Sequence, residues 1–535
     1  MVLGSHHATG ASHTGARIPA FVAMSAGWGE PKAGPPLFGL VLVGVAALMV
    51  RLAIGTTFPI TGDEALFVDW GRQWAGGYYD HPPMVGWWLA LIQATLGDAL
   101  WAVRLPAWLM PVLMAIAVAD MVRVVDPSKA RWALWLVLLL PWSWWYVFVT
   151  TDTPLLAGAL LAVWAWCRAQ RHNRPSAAGL AWYTLVGVGL AVAWLSKYFA
   201  VLLALGLLLQ TWRLRRGWAV AVLVAVLLPA VAWHVYWNMT HGWATVMFNV
   251  FNRNQNAAPS WQHLPLYGLS WVYWLTPALA WALWRQRGVA WAELRHASGR
   301  GVPLLLPVVV LALVALATQV GLHWLLAFYP LALWWAVLSL PVPTLRRTCW
   351  GVAAFTALHL VVVAGLYATN LNDWRDTGWY SKLVRSYRTA ELVAQVDAPG
   401  TVLMTTGYTA SALYGYALGR HVPVFGVGSK HGRHDDLFTD YQAFNGATIR
   451  ILTEQPLSLA EHARYFSRVT GSTVTQSGAV FHVLQGEGFS AQAYRQHVLQ
   501  PAYALFHRIP DWLPVLDDPL ARAVCGQPRC NPSPR

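Results

Sequence analysis

Long apolar runs recur along most of the chain and are separated by short polar stretches. A membrane-spanning helix needs about 20 mostly apolar residues to cross the hydrocarbon core. The runs predict about eleven such helices between residues 36 and 367, some of them short. The predicted spans cover residues 36–55, 105–122, 132–149, 153–167, 178–195, 198–212, 218–237, 264–284, 302–320, 324–340 and 352–367.

Basic residues are concentrated in every second loop between these spans, for example in 168–174, 213–216 and 344–347. Positively charged loops favour the cytoplasmic side of a membrane. This pattern predicts that the N-terminus is cytoplasmic. Because the number of predicted spans is odd, the chain after residue 367 is expected on the opposite, extracytoplasmic side.

Three segments lie outside the predicted spans. Residues 1–35 are rich in Gly, Ala, Ser and His and are expected to be a disordered cytoplasmic N-terminus. Residues 63–97 contain two amphipathic stretches, which indicate helices that lie along the membrane surface. Residues 368–535 are expected to form a small α/β domain. Its predicted strands are 401–405, 422–427, 448–452 and 480–483, and its predicted helices include 411–418 and 460–467.

Composition supports a membrane protein and argues against a nucleic-acid binder. Of the 535 residues, 57% are hydrophobic and only 11% are charged, which is too few charges to cover a water-facing surface. The 34 tryptophans suit the boundary between hydrocarbon and water. The net charge of +14 comes from short loops and not from basic runs interleaved with aromatic residues on a soluble domain.

Four cysteines are present, and two of them, Cys525 and Cys530, lie close together near the C-terminus. They could form a disulfide if this part of the chain is outside the cytoplasm. Cys167 and Cys349 fall at predicted helix ends and are interpreted as small buried apolar residues. Two thiols alone do not make a zinc site.

Acidic residues stand at three points on the predicted outer face. Asp63 and Glu64 follow the first span, Asp80 precedes His81 between the surface helices, and Asp152 lies between the third and fourth spans. Each has a structural alternative, because Asp63 or Asp152 could cap a helix and the Asp80–His81 pair could form a polar turn. A general base, a metal ligand or a substrate contact is the functional interpretation.

Two basic residues accompany these acids on the same predicted face. Lys197 interrupts an otherwise apolar sequence, and Arg253 lies in an Asn-rich outer segment. A lone lysine at a membrane boundary commonly extends to water, and a polar loop can simply bind solvent. Both could instead bind a phosphate. Acids and cations from separate segments that meet at one headgroup depth are the groups required for transfer from a lipid phosphate.

These motifs resemble the GT-C membrane glycosyltransferases, in particular the bacterial branch with the aminoarabinose transferases of lipid A and the relatives of protein O-mannosyltransferases. The resemblance rests on Gly62-Asp63-Glu64, Tyr79-Asp80-His81-Pro82-Pro83, Asp152-Thr153-Pro154, Ser196-Lys197 and the segment Tyr408 to Tyr414. It implies a GT-C-like fold in the bacterial inner membrane. It also implies inverting transfer of a hexosyl or pentosyl group from a polyprenyl-phosphate donor to a lipid, glycan or protein acceptor.

The resemblance also implies roles for single residues. Asp63 matches the acid that activates the acceptor or binds a metal, and Asp152 matches a second acid of the family. Asp80, a further candidate metal ligand, stands where Glu is usual, and His81 stands where a donor-binding Lys is frequent. Since a neutral imidazole binds phosphate less strongly than an ammonium, Lys197 and Arg253 are expected to take over that contact. Glu64 completes the expected substrate-binding set. A divalent metal cofactor is left open.

Two other classes of function stay open at this stage. A transporter or flippase of lipid-linked glycans would need polar residues at mid-membrane and related halves of the chain. A non-catalytic assembly subunit is compatible with His81 at the expected lysine position. A polymerase or ligase that uses a diphosphate-linked oligosaccharide is a related enzymatic alternative.

Overall fold

The computed structural model describes residues 34–254, 258–295, 300–428 and 432–530. Residues 1–33 of the predicted N-terminal segment lie outside this range. The first part of the chain is helical throughout. Its helices are α1 (Leu37–Thr57), α2 (Gly62–Arg72), α3 (Met84–Leu96), α4 (Leu100–Val125), α5 (Ala130–Leu139), α6 (Trp142–Trp145), α7 (Asp152–Ala169), α8 (Ala177–Trp194), α9 (Ala200–Arg213), α10 (Gly217–Met239), α11 (Ala244–Val246), α12 (His263–Leu275), α13 (Pro277–Arg285), α14 (Arg287–Arg295), α15 (Gly301–Val314), α16 (Tyr329–Ser339) and α17 (Val342–Tyr367).

Six helical segments in the described residues are long and apolar enough to cross a membrane. They are Leu37–Thr57, Leu100–Val125, Ala177–Trp194, Gly217–Met239, Leu322–Ser339 and Val342–Tyr367. Their apolar side chains point outward in part, as Phe38 at 78% and Trp350 at 73% exposure illustrate. A surface of this kind requires lipid and not water around it. The chain is therefore a multi-pass membrane protein.

Several predicted spans are interrupted. The run 264–284 is divided into α12 and α13 at Thr276, which has a φ of 66° and whose hydroxyl accepts from the Leu279 N–H to cap α13. The run 132–149 contains α5 and then the short α6, because Pro141 cannot donate the hydrogen bond that would continue the first helix. Shorter apolar helices are α3, α9 and α15.

The two predicted surface helices correspond to α2 and α3. On α2, Phe67, Val68 and Trp70 are buried, and the helix packs against both α3 and helix α20 from the C-terminal part. On α3, by contrast, Leu91 is 65% exposed. Helix α3 therefore provides the apolar outer surface of the pair, while α2 is enclosed by protein.

The C-terminal part contains helices and one four-stranded sheet. The helices are α18 (Tyr380–Tyr387), α19 (Thr389–Ala394), α20 (Tyr408–Leu418), α21 (Asp435–Phe438), α22 (Leu459–His462), α23 (Ala491–Tyr494), α24 (Gln500–Ala502) and α25 (Pro519–Cys525), and the strands are β1 (Thr401–Met404), β2 (Thr448–Thr453), β3 (Arg468–Gln476) and β4 (Ala479–Glu487). The strand order is β1-β2-β4-β3, with β1 and β2 parallel and the other pairs antiparallel.

Two details of this sheet differ from the sequence-based expectation. The predicted strand 422–427 is wrong, since Val424 makes only an isolated bridge to Thr405. Strand β3 was not predicted. It forms a hairpin with β4 through Ser477 and Gly478, which both have positive φ angles, as a two-residue turn of this type requires. Cys525 and Cys530 form a disulfide.

Candidate functional site

The loop after α1 ends in a capping box that separates the roles of Asp63 and Glu64. The Thr61 hydroxyl accepts from the Glu64 N–H at 3.2 Å, and the Glu64 carboxylate accepts from the Thr61 N–H at 3.1 Å. Two neighbouring acids in the first helical turn point in different directions. Glu64 is completely buried, whereas Asp63 is exposed at the start of α2.

Glu64 pairs with the completely buried Arg104 on α4. The Arg104 guanidinium donates to Glu64 Oε1 at 2.9 Å and to Oε2 at 2.7 Å. Its other N–H groups donate to the carbonyls of Gly55, Phe58 and Pro59. Arg104 thus joins the end of α1, the start of α2 and α4, and it fixes the backbone that carries Asp63.

The Asp63 carboxyl lies beside the C-terminal part of the chain. The Tyr408 hydroxyl, at the start of α20, donates to Asp63 Oδ1 at 3.5 Å. A Cβ on the neighbouring Gly62 would lie only 2.4 Å from the Thr409 side chain, so glycine permits this close approach. Partial burial and the negative charge of Asp80 raise the pKa of Asp63, while the Tyr408 hydrogen bond lowers it in part.

Asp80 and His81 lie in the turn between α2 and α3. Tyr78 fixes this turn, since its ring stacks on Trp70 with the centroids 4.3 Å apart and its hydroxyl donates to the Trp70 carbonyl. His81 Nδ1 lies 3.1 Å from Asp80 Oδ1, and both side chains are partly exposed. Burial alone would raise the pKa of Asp80, but the contact with His81 lowers it below its ordinary value.

Asp152 and Lys197 form a close ion pair. Lys197 Nζ lies 2.8 Å from Asp152 Oδ1 and 2.7 Å from Oδ2, and the two side chains are about 10% exposed. Asp152 begins α7, and Lys197 lies in the turn that links α8 and α9. Both oxygens of Asp152 are therefore engaged by one ammonium group, which retains one further N–H.

Arg253 lies over the Trp324 ring, with its Cζ 5.0 Å from the ring centroid, and within electrostatic range of Asp80. His323, which sequence reasoning missed, lies within the same range of Lys197, Asp152, Arg253 and His81. The polar groups around Asp63 and those around Lys197 are therefore neighbours. Together, these groups are called the polar cluster below. Its members are Asp63, Asp80, His81, Asp152, Lys197, Arg253 and His323.

A second missed residue is His434, which precedes α21 in the C-terminal part. Its ring stacks on Phe438 at 4.4 Å and lies 5.8 Å from the Trp70 and Tyr78 rings. Burial lowers the pKa of His434 to about 4, so the imidazole is neutral at pH 7. Only the tertiary fold could reveal this neighbour, because more than 350 residues separate it from Asp80.

A histidine also connects the C-terminal part to α2. His421 Nδ1 lies 2.7 Å from Asp69 on α2, and its Nε2 lies 2.9 Å from Asp435 on α21. Burial would lower the pKa of His421, but the two carboxylates raise it to about 10. The imidazolium is therefore charged at pH 7 and bridges the two parts of the chain.

The predicted metal ligands, Asp63 and Asp80, lie near each other, but they do not belong to a larger ligand set. No group of three or more His, Cys, Asp or Glu side chains in the described ranges is arranged to hold a metal ion. Asp80 is also already in contact with His81. Mg²⁺ is commonly held by one or two carboxylates together with substrate phosphates, so a metal at Asp63 and Asp80 stays a prediction.

Comparisons with known proteins show what the chain is similar to in sequence and in fold. Residues 80–237, which contain Asp80, His81, Asp152 and Lys197, match the family "Dolichyl-phosphate-mannose-protein mannosyltransferase". The chain also has the fold of ArnT from Cupriavidus metallidurans. The resemblance to GT-C membrane glycosyltransferases is thereby confirmed.

Individual relatives are similar at different levels. The chain is 29% identical over 195 residues to the lipid A galacturonosyltransferase RgtD of Rhizobium johnstonii, a match that covers 34% of this chain and 39% of the relative. The matched region thus spans less than half of RgtD. The ArnT structures, apo and bound to undecaprenyl phosphate, have TM-scores of 0.56 and 0.57 at 16% identity, and each match covers 84% of this chain and 98% of ArnT.

Proposed function

We propose that this protein is a glycosyltransferase that moves a sugar from a polyprenyl-phosphate donor to an acceptor at the outer face of the bacterial inner membrane. The observation that carries the proposal is the polar cluster. The accessible Asp63 carboxyl lies within electrostatic range of Asp80 and His81. Arg253 lies within the same range of Asp80, and His323 connects His81 with Lys197. A base and a phosphate-binding group, held at one end of a helical membrane protein, are the parts that such a transfer needs.

In the proposed reaction, Asp63 accepts the proton of an acceptor hydroxyl. The hydroxyl oxygen attacks the anomeric carbon, the new C–O bond forms, and the bond from that carbon to the phosphate oxygen breaks with inversion. The polyprenyl phosphate leaves with the electron pair of the broken bond. The raised pKa of Asp63 suits a proton acceptor, because it makes the carboxylate a stronger base than an ordinary aspartate.

The departing phosphate is stabilised by Lys197, with Arg253 and His81 beside it. Lys197 has an N–H left after its two contacts with Asp152, and Arg253 presents a planar guanidinium. We assign Asp152 a positioning role in place of the catalytic role expected from the sequence, since both its oxygens hold Lys197. Asp80 positions His81 through the contact between them.

Glu64 is assigned a structural role in place of substrate binding. Its oxygens are engaged by Arg104, Thr61 and the Val149 N–H at 3.2 Å, and its side chain has no exposed surface. A sugar or phosphate could reach this carboxylate only if the ion pair with Arg104 were broken. A buried carboxylate that loses its cationic partner is strongly disfavoured.

We propose the following organisation in the membrane. Residues 36–367 form the GT-C-like catalytic domain with about eleven spans, and residues 368–535 form an extracytoplasmic α/β domain. The basic loops support this orientation. The Cys525–Cys530 disulfide supports it too, because disulfides persist outside the reducing cytoplasm.

The donor and acceptor classes are proposed from the relatives. The solved structure of ArnT with undecaprenyl phosphate favours a polyprenyl-phosphate donor. RgtD is named for transfer of a sugar to lipid A, which favours a lipid acceptor over a glycan or a protein. The identity of the sugar depends on the shape of the pocket around the polar cluster.

The decisive experiment measures sugar transfer by the purified protein in lipid nanodiscs, with several polyprenyl-phosphate sugars as donors and lipid A as acceptor. We expect Asp63→Asn to abolish transfer, because an amide cannot accept the hydroxyl proton. Asp376→Asn is the matched control, since Asp376 is an exposed carboxylate in the segment between α17 and α18. Full transfer by correctly folded Asp63→Asn protein would overturn the proposal, as would no transfer with any of the polyprenyl-phosphate donors.

The orientation is tested separately by cysteine labelling in intact cells. Cysteine placed at Arg174, in a basic loop, should be labelled only after the cells are permeabilised. Cysteine placed at Asp376 should react with an impermeant reagent from outside. Labelling of both positions from the same side would contradict the proposed topology.

A further inference from the structure

A second site lies at the opposite end of the membrane helices from the polar cluster. It is an apolar groove of about 670 Å³ between α4, α5 and α7. Its walls are formed mainly by Leu113, Ile116, Leu134, Ala157, Leu160 and Trp164. Leu113 and Ile116 are 49% and 58% exposed, so the groove opens sideways toward lipid.

The groove ends in a charged group of side chains. The Asp120 carboxylate accepts from Trp164 Nε1 at 2.8 Å, from Arg168 Nε at 3.1 Å and from Arg123 Nη2 at 2.9 Å. Among the side chains that line the groove, two guanidinium groups and one carboxylate carry a net charge of +1. Arg123 and Arg168 both line the groove, and the Arg123 side chain is about half exposed. This end is therefore suited to bind one negative charge.

The dimensions of the groove match one leaflet of a membrane. From Met110 to Arg123, α4 advances about 20 Å at 1.5 Å per residue. One leaflet contributes about 15 Å of hydrocarbon, with the headgroup region beyond it. Arg168 and Asp152 lie on the same helix α7, about 24 Å apart along its axis, so the charged end belongs to the leaflet away from the polar cluster.

We propose that this groove binds an anionic phospholipid of that leaflet. An acyl chain lies along the apolar wall, and the phosphate contacts Arg123 and Arg168, whose planar groups match phosphate oxygens. Asp120 orients both arginines through the hydrogen bonds described above. The inference depends on membrane embedding and not on sugar transfer, so either proposal can fail without the other.

The prenyl chain of a sugar donor is a poorer occupant of the same groove. Its phosphate would lie at the polar cluster, which would bring the apolar tip of the chain to the charged end at Arg123 and Arg168. Charged groups that lose water to hydrocarbon without a new partner are strongly disfavoured. The negative phosphodiester of a phospholipid, by contrast, gives Arg123 and Arg168 a new charged partner in place of the water that they lose.

The test is native mass spectrometry of the detergent-purified protein with phosphatidylglycerol and phosphatidylcholine of identical chains. We expect the wild type to retain phosphatidylglycerol preferentially. Arg123→Gln should reduce this preference about fivefold, the effect of one basic side chain at an anionic lipid headgroup. Arg174→Gln is the matched control, because it removes the same charge from an exposed position in a nearby loop outside the groove and should leave the preference unchanged.

A second variant tests the apolar part of the site. Ala117 lines the groove, and Ala117→Phe should reduce retention of both lipids while the charged end stays intact. Melting curves identify any variant that is misfolded. The proposal is overturned if the two lipids are retained equally by the wild type, if Arg174→Gln and Arg123→Gln behave alike, or if polyprenyl phosphate displaces phosphatidylglycerol.

Discussion

Replacement of Arg104 by methionine should be strongly destabilising. Arg104 is completely buried and makes five hydrogen bonds, two to Glu64 and three to backbone carbonyls. Arg104→Met would leave the Glu64 carboxylate buried without a cation, which costs about 3–5 kcal/mol. The same hydrogen bonds fix the start of α2, so the position of Asp63 should become less defined in Arg104→Met. The rate of sugar transfer should therefore decrease together with the stability.

A double variant separates the charge from the packing. Glu64→Gln in the Arg104→Met background removes the buried charge but leaves an unsatisfied polar group, which costs about 1–3 kcal/mol. The double variant should therefore recover about 2 kcal/mol of the about 3–5 kcal/mol that Arg104→Met loses. Arg388→Met is the matched control, because Arg388 is about half exposed in its contact with Glu391 and such pairs contribute less than about 1 kcal/mol.

The assay is the apparent melting temperature of each variant in one detergent, followed by tryptophan fluorescence. The expected order runs from the wild type and Arg388→Met at the top, through the double variant, to Arg104→Met at the bottom. The reasoning would be refuted if Arg104→Met melted at the same temperature as Arg388→Met, because the buried ion pair would then contribute nothing to stability.

Four further predictions concern the polar cluster and the C-terminal part. Lys197→Met should lower the transfer rate about 100- to 1000-fold while Lys197→Arg retains part of it, as single-turnover kinetics would reveal. Transfer should decline toward acid pH, and the decline should be centred above the ordinary pKa of aspartate. The raised pKa of Asp63 means that its carboxylate takes up a proton at a higher pH than an ordinary aspartate does. Tyr408→Phe, which removes a hydrogen bond that lowers this pKa, should shift the acid limb of the pH–rate profile to higher pH. The pKa of His421 is raised from about 6.5 to about 10, so its contribution to stability should be complete below pH 6.5 and lost as the pH rises through 10. Melting temperatures between pH 6.5 and 10.5 should therefore decline in the wild type and less in His421→Gln.

The sequence was most informative where a single local pattern decides the structure. Apolar length predicted the six long apolar helical segments of the described residues, because hydrocarbon leaves few alternatives for a long apolar run. It could not locate the interruption at Thr276, whose positive φ depends on packing. Strand β3 could not be predicted because its residues are largely polar and partly exposed at the edge of the sheet. They therefore show little alternation between apolar and polar positions.

The candidate site also contains some residues that the sequence could predict and others that only the structure could reveal. The positions of Asp63, Asp80, Asp152 and Lys197 could be predicted near one another from the order of spans and loops. The spacing of Thr61 and Glu64 also carries a capping signal in the sequence. The partner of Glu64 could not be found, because Arg104 is 40 residues away and ordinary in its local context.

Tyr408, His421 and His434 approach α2 or the polar cluster only through the folding of the C-terminal part onto the helices. For His421 the contact with Asp69 joins residues 352 positions apart. No local sequence pattern encodes contacts over such separations. These neighbours could therefore be identified only from the structure.

The contact between Tyr408 and Asp63 has a consequence for the life of the nascent chain. The two residues are 345 positions apart, and every membrane helix after α1 is synthesised between them. Asp63 can acquire its complete surroundings only after the last helix has been inserted and the following segment has folded back. A ribosome-bound intermediate with all the membrane helices would therefore still lack the Tyr408 contact, and the environment of Asp63 is completed late in biogenesis.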